Sequence, residues 1–209
     1  MHLEALTSEG RSLFPELAVL KGFYLAGGTA LALQIGHRIS QDFDCFTSQP
    51  LSDAWLTTLE SIDSSERVSI LVNTAHELTV ILSEVKISLI HYPFPLINKL
   101  VTLNPFPLPL LSVEEIAATK AYTIGRRGSY RDYVDMYTVL ARNLASLGDI
   151  VALAEQKYGE HFNGRLFLEQ LLYLDDVRDD TITYLIDRVT REDIMHYFKQ
   201  AVASFRLDS

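Results

Sequence analysis

Residues 24–46, YLAGGTALALQIGHRISQDFDCF, carry the strongest structural signal in the chain. A strand predicted over residues 23–26 leads through Gly27-Gly28-Thr29 into a short Ala/Leu-rich helix, predicted over residues 30–35 and ended by Gly36. The first amides of a helix lack partners within it, and glycines let an anion approach the backbone closely. Gly27, Gly28 and the hydroxyl of Thr29 are therefore candidate phosphate ligands.

The same stretch ends in two carboxylates, Asp42 and Asp44, on a strand predicted over residues 42–46. Because side chains alternate along a strand, both carboxylates lie on one face, while Phe43 and Cys45 point to the opposite one. Two neighbouring negative charges repel each other unless a cation joins them. Mg²⁺ (or Mn²⁺) commonly takes one or two carboxylates together with substrate phosphates, so this pair is a candidate metal site.

Each half of this pattern also has a simpler explanation. A Gly-Gly after a strand is commonly a tight turn, and an Asp-x-Asp is commonly a solvated strand edge or an Asx turn. Together and in this order, they predict a phosphate loop close to a metal-binding pair. On the connection between them, Arg38 could clamp a phosphate or form a surface salt bridge, and His37 is expected to be a packing residue.

The whole chain is predicted to have an α+β fold, with a mixed β-sheet and flanking helices followed by a helical domain. The boundary is placed at a proline cluster, giving domains over residues 1–110 and 111–209. Before it, we predict an opening amphipathic helix to about Leu20, a helix near residues 53–59, and strands over residues 68–72, 78–82 and 85–92. The cluster comprises Pro93, Pro95, Pro105, Pro107 and Pro109.

Helical signals dominate after the prolines. Ser112-Val-Glu-Glu115 has the form of a capping box and predicts a helix over residues 113–124. A second helix is expected from Tyr130, and the rest of the chain to Leu207 is also predicted to be helical. The apolar face of the second helix is formed by Tyr133, Met136, Tyr137 and Leu140.

Composition limits the function classes. With 48% hydrophobic residues in 209, the chain can build a core, which excludes disorder as its main state. Its net charge of −9 argues against a surface that binds nucleic acid throughout, so any polyanion must meet a local basic patch. The chain has a single cysteine and no Cys/His spacing typical of a zinc site, which favours a reducing compartment. It also has no signal segment and no apolar run long enough to span a membrane, so we expect a cytoplasmic protein.

These motifs resemble the signature of the AbiEii/AbiGii toxin-like nucleotidyltransferases, a branch of the polymerase-beta-like superfamily. The resemblance extends over residues 24 to about 140. In the first half it rests on Gly27-Gly28-Thr29, Gly36-His37-Arg38, Ser40 and Asp42-Phe43-Asp44. In the second half it rests on Lys120 and on Arg131-Asp132-x-x-Asp135.

The resemblance implies transfer of a nucleoside monophosphate from a nucleoside triphosphate to an acceptor, in a cleft that the helical domain completes. It suggests a toxin of a toxin–antitoxin pair, with tRNA or another RNA as acceptor and a cognate antitoxin as partner. Lys120 would contact phosphate, and Asp132 would orient a group or accept a proton. The implied roles are catalytic for Asp42, Asp44, Lys120 and Asp132; nucleotide-binding for Gly27, Gly28, Thr29, Arg38, Ser40 and Lys86; and RNA contact for Arg126, Arg127 and Arg131.

One feature departs from the superfamily pattern, in which a later strand usually supplies a third carboxylate. The corresponding run, residues 83–90, has Lys86 and Ser88 on the face where an aspartate is expected. Glu84 could replace that carboxylate, or Lys86 could bind phosphate in a site with two carboxylates only.

Other readings stay open at this point. Lys120 could be a solvated helix residue, and Arg131 with Asp135 could be an exposed ion pair. The chain could also be a nucleotide-binding or protein-interaction module that has lost turnover, or a phosphotransferase that uses the same site. The string Asp175-Asp176-Val-Arg-Asp179 resembles a prenyl-diphosphate motif, but no second such string is present, and we assign it no function.

Overall fold

A computed structural model describes residues 1–62, 68–103, 106, 108–178 and 181–205. Within them the chain forms two compact units. The first comprises Met1–Pro95 and Lys99–Ser112, and the second comprises Leu96–Asn98 and the chain from Val113 onwards. Of the residues used in the predictions, Pro105, Pro107, Asp179 and Leu207 lie outside the described ranges.

The first unit is built on a five-stranded mixed sheet, as predicted. The strand order is β1-β2-β5-β4-β3; β2 and β5 are parallel, and the other neighbours are antiparallel. The strands are β1 (Tyr24–Ala26), β2 (Phe43–Thr47), β3 (Ser69–Asn73), β4 (Glu77–Leu82) and β5 (Val85–His91). The helices of this unit are α1 (Ser8–Leu13), α2 (Gly27–Ile35) and α3 (Ala54–Glu60).

Burial follows the predicted period of two over residues 42–45 and 85–87, whereas Phe46 and Ser88, further along the same strands, are buried as well. In β2, Phe43 and Cys45 are buried, while Asp44 and the residue just before the strand, Asp42, are half-buried. On β5, Val85, Ile87 and Leu89 are all buried. This alternation places the apolar positions of two parallel neighbours in one layer and leaves the opposite face for polar side chains.

The predicted opening helix is wrong in its length. Helix α1 covers only Ser8–Leu13, and the chain continues as a 3₁₀ helix over Phe14–Val19. Pro15 explains the break, because it lacks the amide hydrogen that an α-helix needs and its ring clashes with the preceding turn. Phe14 still contributes to the core, since its ring stacks on that of Phe43 with centroids 5.7 Å apart.

The second unit is helical. Helix α4 continues through Gly125 to Arg127, three residues beyond its predicted end, and on α5 the predicted apolar positions Tyr133, Met136 and Leu140 are buried. The prediction of helix to the end of the chain is wrong, because residues 172–178 and 181–190 contain none. The helices are α4 (Val113–Arg127), α5 (Tyr130–Ala141), α6 (Leu147–Tyr158), α7 (Gly164–Leu171) and α8 (Arg191–Ser204).

A buried ion pair joins α4 to α6. Lys157 Nζ lies 2.6 Å from Glu115 Oε1, and neither side chain is exposed to solvent. The Glu115 carboxylate also accepts hydrogen bonds from the amides of Ile97 (3.1 Å) and Asn98 (3.0 Å). Glu115 was expected only to cap its own helix, and its long-range partners could not be read from the local sequence.

None of the helices in the described ranges is both long and apolar enough to cross a bilayer.

Candidate active site

The candidate phosphate loop is the first turn of α2. This helix begins at Gly27, three residues before its predicted start, and Gly27 has φ +65. The residue that precedes it, Ala26, offers no side-chain cap to the first amides. Gly27 and Gly28 are both half-buried. The positive end of the helix dipole and its first amides therefore lie at a partly open edge of the unit.

Thr29 has an internal role that the sequence did not reveal. Its side chain is buried, and its hydroxyl hydrogen-bonds to Ser40 Oγ at 2.8 Å and to the backbone carbonyl of Asp42. A hydroxyl has one proton to donate, and both partners lie on the segment that enters β2. Thr29 and Ser40, predicted as direct nucleotide ligands, thus fix the first turn of α2 against the start of β2.

Asp44 lies directly against the loop. Strand register places it opposite Ala26 of β1 on one side and Ser88 of β5 on the other. A Cβ atom added to Gly27 would lie 2.5 Å from Asp44 Oδ2, closer than any real contact. The structure therefore brings the glycine turn and the carboxylate pair together, as the sequence pattern predicted. Any other residue at this position would displace the Asp44 side chain.

Lys86 forms an ion pair with Asp42. Its Nζ atom lies 2.8 Å from Asp42 Oδ2, and the two side chains are 39% and 34% exposed. Lys86 is on β5, two residues before Ser88, just as Asp42 is two residues before Asp44. Lys86 and Ser88 thus occupy the two neighbouring-strand positions at which the family resemblance led us to expect a third carboxylate: Lys86 pairs with Asp42, and Ser88 lies opposite Asp44.

Glu84 does not replace that carboxylate. With Ser83 it forms the two-residue turn between β4 and β5, where both residues have positive φ. Its side chain lines a cavity together with Ser8, Glu9 and Ser12, to which neither Asp42 nor Asp44 contributes. Among the residues that the structure describes, no group of three or more His, Cys, Asp and Glu side chains could hold a metal ion.

The residues at the loop nonetheless suit a divalent cation. Asp42 and Asp44 supply two hard oxygen donors on one face, both half-buried and therefore reachable from solvent. Mg²⁺ rarely relies on a complete protein cage and usually combines one or two carboxylates with substrate phosphates and water. The donor set fits such a site, with the first amides of α2 beside it to receive the phosphates.

Arg38 and His37 belong to the interior. Arg38 is only 3% exposed, and its Nη1 donates to the carbonyl of Ile39 at 3.1 Å. A bidentate clamp on a phosphate needs a guanidinium that the ligand can reach, so this geometry favours a role in shaping the connection between α2 and β2. His37 is fully buried, as expected for a packing residue.

A second candidate cluster is formed within the helical unit by Lys120, Asp132 and Asp135. The Lys120 ammonium lies 2.8 Å from Asp132 Oδ1 and 2.6 Å from Asp135 Oδ2, and its side chain is 8% exposed. Lys120 is therefore neither a solvated helix residue nor part of an exposed basic surface. Asp135, considered above as half of an exposed ion pair, is completely buried.

Asp135 was missing from the predicted catalytic set. The available signal was its spacing of three residues from Asp132, which places both carboxylates on one face of a helix. That spacing gave no indication of burial or of a shared partner twelve to fifteen residues earlier in the chain.

Asp132 is held ionised. Burial alone would raise its pKa, but the charge and hydrogen bond of Lys120 and the amide of Ser129 outweigh this effect, so the pKa lies below its ordinary value. The Asp132 Oδ2 atom accepts from the Ser129 amide at 2.9 Å, in a capping box that begins α5. The cluster thus pairs one buried lysine with two carboxylates.

This lowered pKa predicts a pH-dependent contribution to stability. An ionised Asp132 stabilises the folded chain above the unfolded-state pKa of about 3.9, and this contribution is lost as the pH falls through the lower folded-state value. We expect the stability difference between wild type and Asp132→Asn to be largest above about pH 4 and to shrink below it. Urea unfolding from pH 7 to pH 2.5 measures this difference.

Asp149→Asn is the control for the capping box alone: Asp149 occupies the same position on α6 and its pKa is also lowered, by hydrogen bonds from Ser146, but it is exposed, so the larger pH dependence expected for Asp132→Asn reports the Lys120 contact. A difference for Asp132→Asn that stays constant across the pH range would contradict the assignment.

The predicted RNA contacts lie on the surface of the helical unit. Arg126, Arg127 and Arg131 are exposed. Arg126 also has contacts within the protein: its guanidinium lies 4.3 Å from the centre of the Tyr122 ring, and its Nη2 donates a hydrogen bond to the His161 carbonyl at 2.8 Å. Lys120 is buried, so the candidate RNA-binding surface consists of the three arginines without it.

Three further residues are assigned no role: Cys45, Asp175 and Asp176. Burial, and then the charge of Asp44, raise the pKa of the Cys45 thiol, which is therefore an inert buried group. Asp175 and Asp176 are exposed in a turn and are not part of a helix, which agrees with leaving them unassigned.

Gly27→Ala tests the contact between loop and carboxylate. The substitution forces a Cβ against Asp44 and strains a left-handed backbone, so we expect transfer activity to fall at least about tenfold and stability by about 1–3 kcal/mol. Gly22→Ala is the control: Gly22 has φ +85 but has no atoms within 4 Å of an added Cβ, so it reports backbone strain alone. Equal losses in the two variants would show that the Asp44 contact is unimportant.

Comparisons with known proteins show the family and the fold of the chain. A family model described as "Nucleotidyl transferase AbiEii toxin, Type IV TA system" matches residues 52–208, a range that begins after Asp44. An uncharacterized protein of Aquifex aeolicus, aq_aa25, is 29% identical over 189 residues, which are 90% of each chain.

Two solved structures share the fold. MenT4, the nucleotidyltransferase toxin Rv2826c of Mycobacterium tuberculosis, is 18% identical with a TM-score of 0.65, over 99% of this chain and 89% of that one. A Helicobacter pylori protein described as a nucleotidyltransferase is 17% identical with a TM-score of 0.60, over 92% and 89%.

Proposed function

Because the chain belongs to the AbiEii nucleotidyltransferase toxin family, we propose that it transfers a nucleoside monophosphate from a nucleoside triphosphate to an RNA acceptor, with Asp42 and Asp44 as its metal ligands. The observation that carries this proposal is the contact between the first turn of α2 and Asp44, which leaves no space for a Cβ at Gly27. It joins an anion-binding helix start to a metal-binding carboxylate within one small motif.

The charges of the substrate explain why both parts are needed. A triphosphate brings about four negative charges to a site that already holds two carboxylates. The amides of Gly27 and Gly28 receive phosphate oxygens, and Asp42 and Asp44 hold the cation. When bound, a divalent metal neutralises phosphate charge and lowers the pKa of the attacking hydroxyl. Thr29 and Ser40 contribute by fixing this arrangement.

Lys120, Asp132 and Asp135 are proposed to act in the same reaction. A general base works best when its pKa is near the working pH, and the lowered pKa of Asp132 makes it a weak proton acceptor. We therefore assign the two carboxylates to orienting the Lys120 ammonium, and Lys120 to a phosphate contact. In this role a lysine held by two carboxylates is preorganised, because its side chain is already fixed before substrate arrives.

The biological role follows the family. A toxin is expected to have a cognate antitoxin, and MenT4 is described as a nucleotidyltransferase toxin. For the acceptor we propose tRNA or another RNA, which Arg126, Arg127 and Arg131 would contact through its phosphates. Because the chain as a whole is acidic, this binding must be local and should weaken strongly with added salt.

Labelled nucleotides separate the function classes. The full chain is incubated with Mg²⁺, total RNA and each triphosphate, labelled at either the α or the γ phosphate. Transfer of the α label to RNA, with none from the γ position, supports the proposal. Transfer of the γ label alone indicates a phosphotransferase, and bound triphosphate without transfer indicates a binding module.

A further inference from the structure

Lys86 changes the charge of the proposed metal site. The two carboxylates contribute −2, and the Lys86 ammonium, 2.8 Å from Asp42, returns +1, which leaves −1. A carboxylate in the position of Lys86 would make the total −3. Two divalent cations together carry +4, so a centre of −1 is poorly suited to hold both, even with the charge of a bound triphosphate nearby.

The ion pair is not explained by a need for stability. Both side chains are more than one third exposed, and ion pairs of this kind contribute little to folding. The fold also allows a carboxylate here, because Lys86 occupies an outward-facing position of β5 while its neighbours Val85 and Ile87 form the core. Its effect must therefore be sought in what Asp42 can bind.

We propose that Lys86 makes this a single-metal centre: the ammonium bound to Asp42 takes, in the charge balance, the place of a second divalent cation. This inference rests on the proposed function, because it assumes that Asp42 and Asp44 hold the metal that accompanies the triphosphate. In this role, Lys86 sets the number of ions bound at the site and limits the affinity with which they bind. Like charges repel, so the ammonium weakens binding of any cation that uses Asp42.

Metal stoichiometry tests this directly and without turnover. Mn²⁺ binding to the full chain is followed by electron paramagnetic resonance in the presence of an α,β-methylene triphosphate, which cannot transfer its nucleotide. An Asp42→Asn, Asp44→Asn variant is measured in parallel. The number of ions that this variant binds is subtracted as background, because it counts ions held elsewhere, for example near His76 and His91, whose Nδ1 atoms lie 3.2 Å apart.

The wild type is expected to bind a single Mn²⁺ above this background. Lys86→Asp, which supplies the third carboxylate, is expected to bind a second one. Lys86→Met, which removes the charge without adding a ligand, should still bind a single ion but about tenfold more tightly. Circular dichroism spectra and thermal unfolding check that each variant is folded. If Lys86→Asp does not fold, the number of Mn²⁺ ions bound by the wild type still decides between one metal and two.

The outcomes distinguish the two proposals. A second Mn²⁺ in the wild type overturns the single-metal inference and leaves nucleotidyl transfer standing. A Lys86→Asp variant that folds but still binds a single ion also overturns it. If the wild type binds no more Mn²⁺ than the Asp42→Asn, Asp44→Asn control, the metal site of the proposed function is itself wrong, and the inference falls with it.

Discussion

Replacing both Asp42 and Asp44 with asparagine is expected to reduce the rate of nucleotide transfer by about a thousandfold or more, because the triphosphate charge is then no longer balanced at the reacting phosphate. The fold should be unaffected. Asn keeps the shape of each side chain, and the lost ion pair with Lys86 is partly exposed, so it contributes little to folding. The measurement is the initial rate of α-label incorporation at saturating nucleotide, with thermal unfolding in parallel.

Asp53→Asn is the matched control, since Asp53 is an exposed aspartate of the same unit, and it should retain full activity. Activity within tenfold of wild type in the double variant would show that the catalytic carboxylates lie elsewhere.

Lys157→Met should give the largest loss of stability, about 3–5 kcal/mol, because it leaves a buried carboxylate without its counter-ion. Glu115 would retain only the amides of Ile97 and Asn98 as partners among those described above. A domain of ordinary stability has about 5–15 kcal/mol in total, so the helical unit of this variant would be close to unfolding. Urea denaturation, followed by circular dichroism, measures the loss.

Two further variants test the cause. Lys199→Met removes an exposed lysine from the same unit and should cost less than about 0.5 kcal/mol. Glu115→Gln combined with Lys157→Met should be less destabilised than Lys157→Met alone, since no unpaired charge is then buried. A loss below about 1 kcal/mol in Lys157→Met would contradict a structural role for the pair.

The strands were predictable because their signal is local. Alternation alone identified β2 and β5, and it correctly separated Phe43 and Cys45 from Asp42 and Asp44. The opening helix was misjudged because apolar periodicity extends past Pro15, whereas an α-helix does not. The segment before α8 was misjudged as well, since the composition that suggested helix there was not accompanied by a cap signal.

The candidate site was predictable in its residue types and less so in their roles. Glycines, a threonine and two aspartates indicate phosphate and metal chemistry, but they do not show which oxygen the Thr29 hydroxyl will meet. Burial of Arg38 and Lys120 was not predictable either, because it depends on partners brought in by the fold. Lys86 was recognised as a departure, but only strand pairing shows that it contacts Asp42.

The most direct test of nucleotidyl transfer is to measure both products of one reaction. The full chain, unlabelled triphosphate, Mg²⁺ and total RNA are incubated together; released pyrophosphate is quantified, and the modified RNA is analysed by mass spectrometry. We predict RNA that has gained a nucleoside monophosphate and an equal amount of pyrophosphate. RNA that has gained only a phosphoryl group, with nucleoside diphosphate as the second product, would contradict the account.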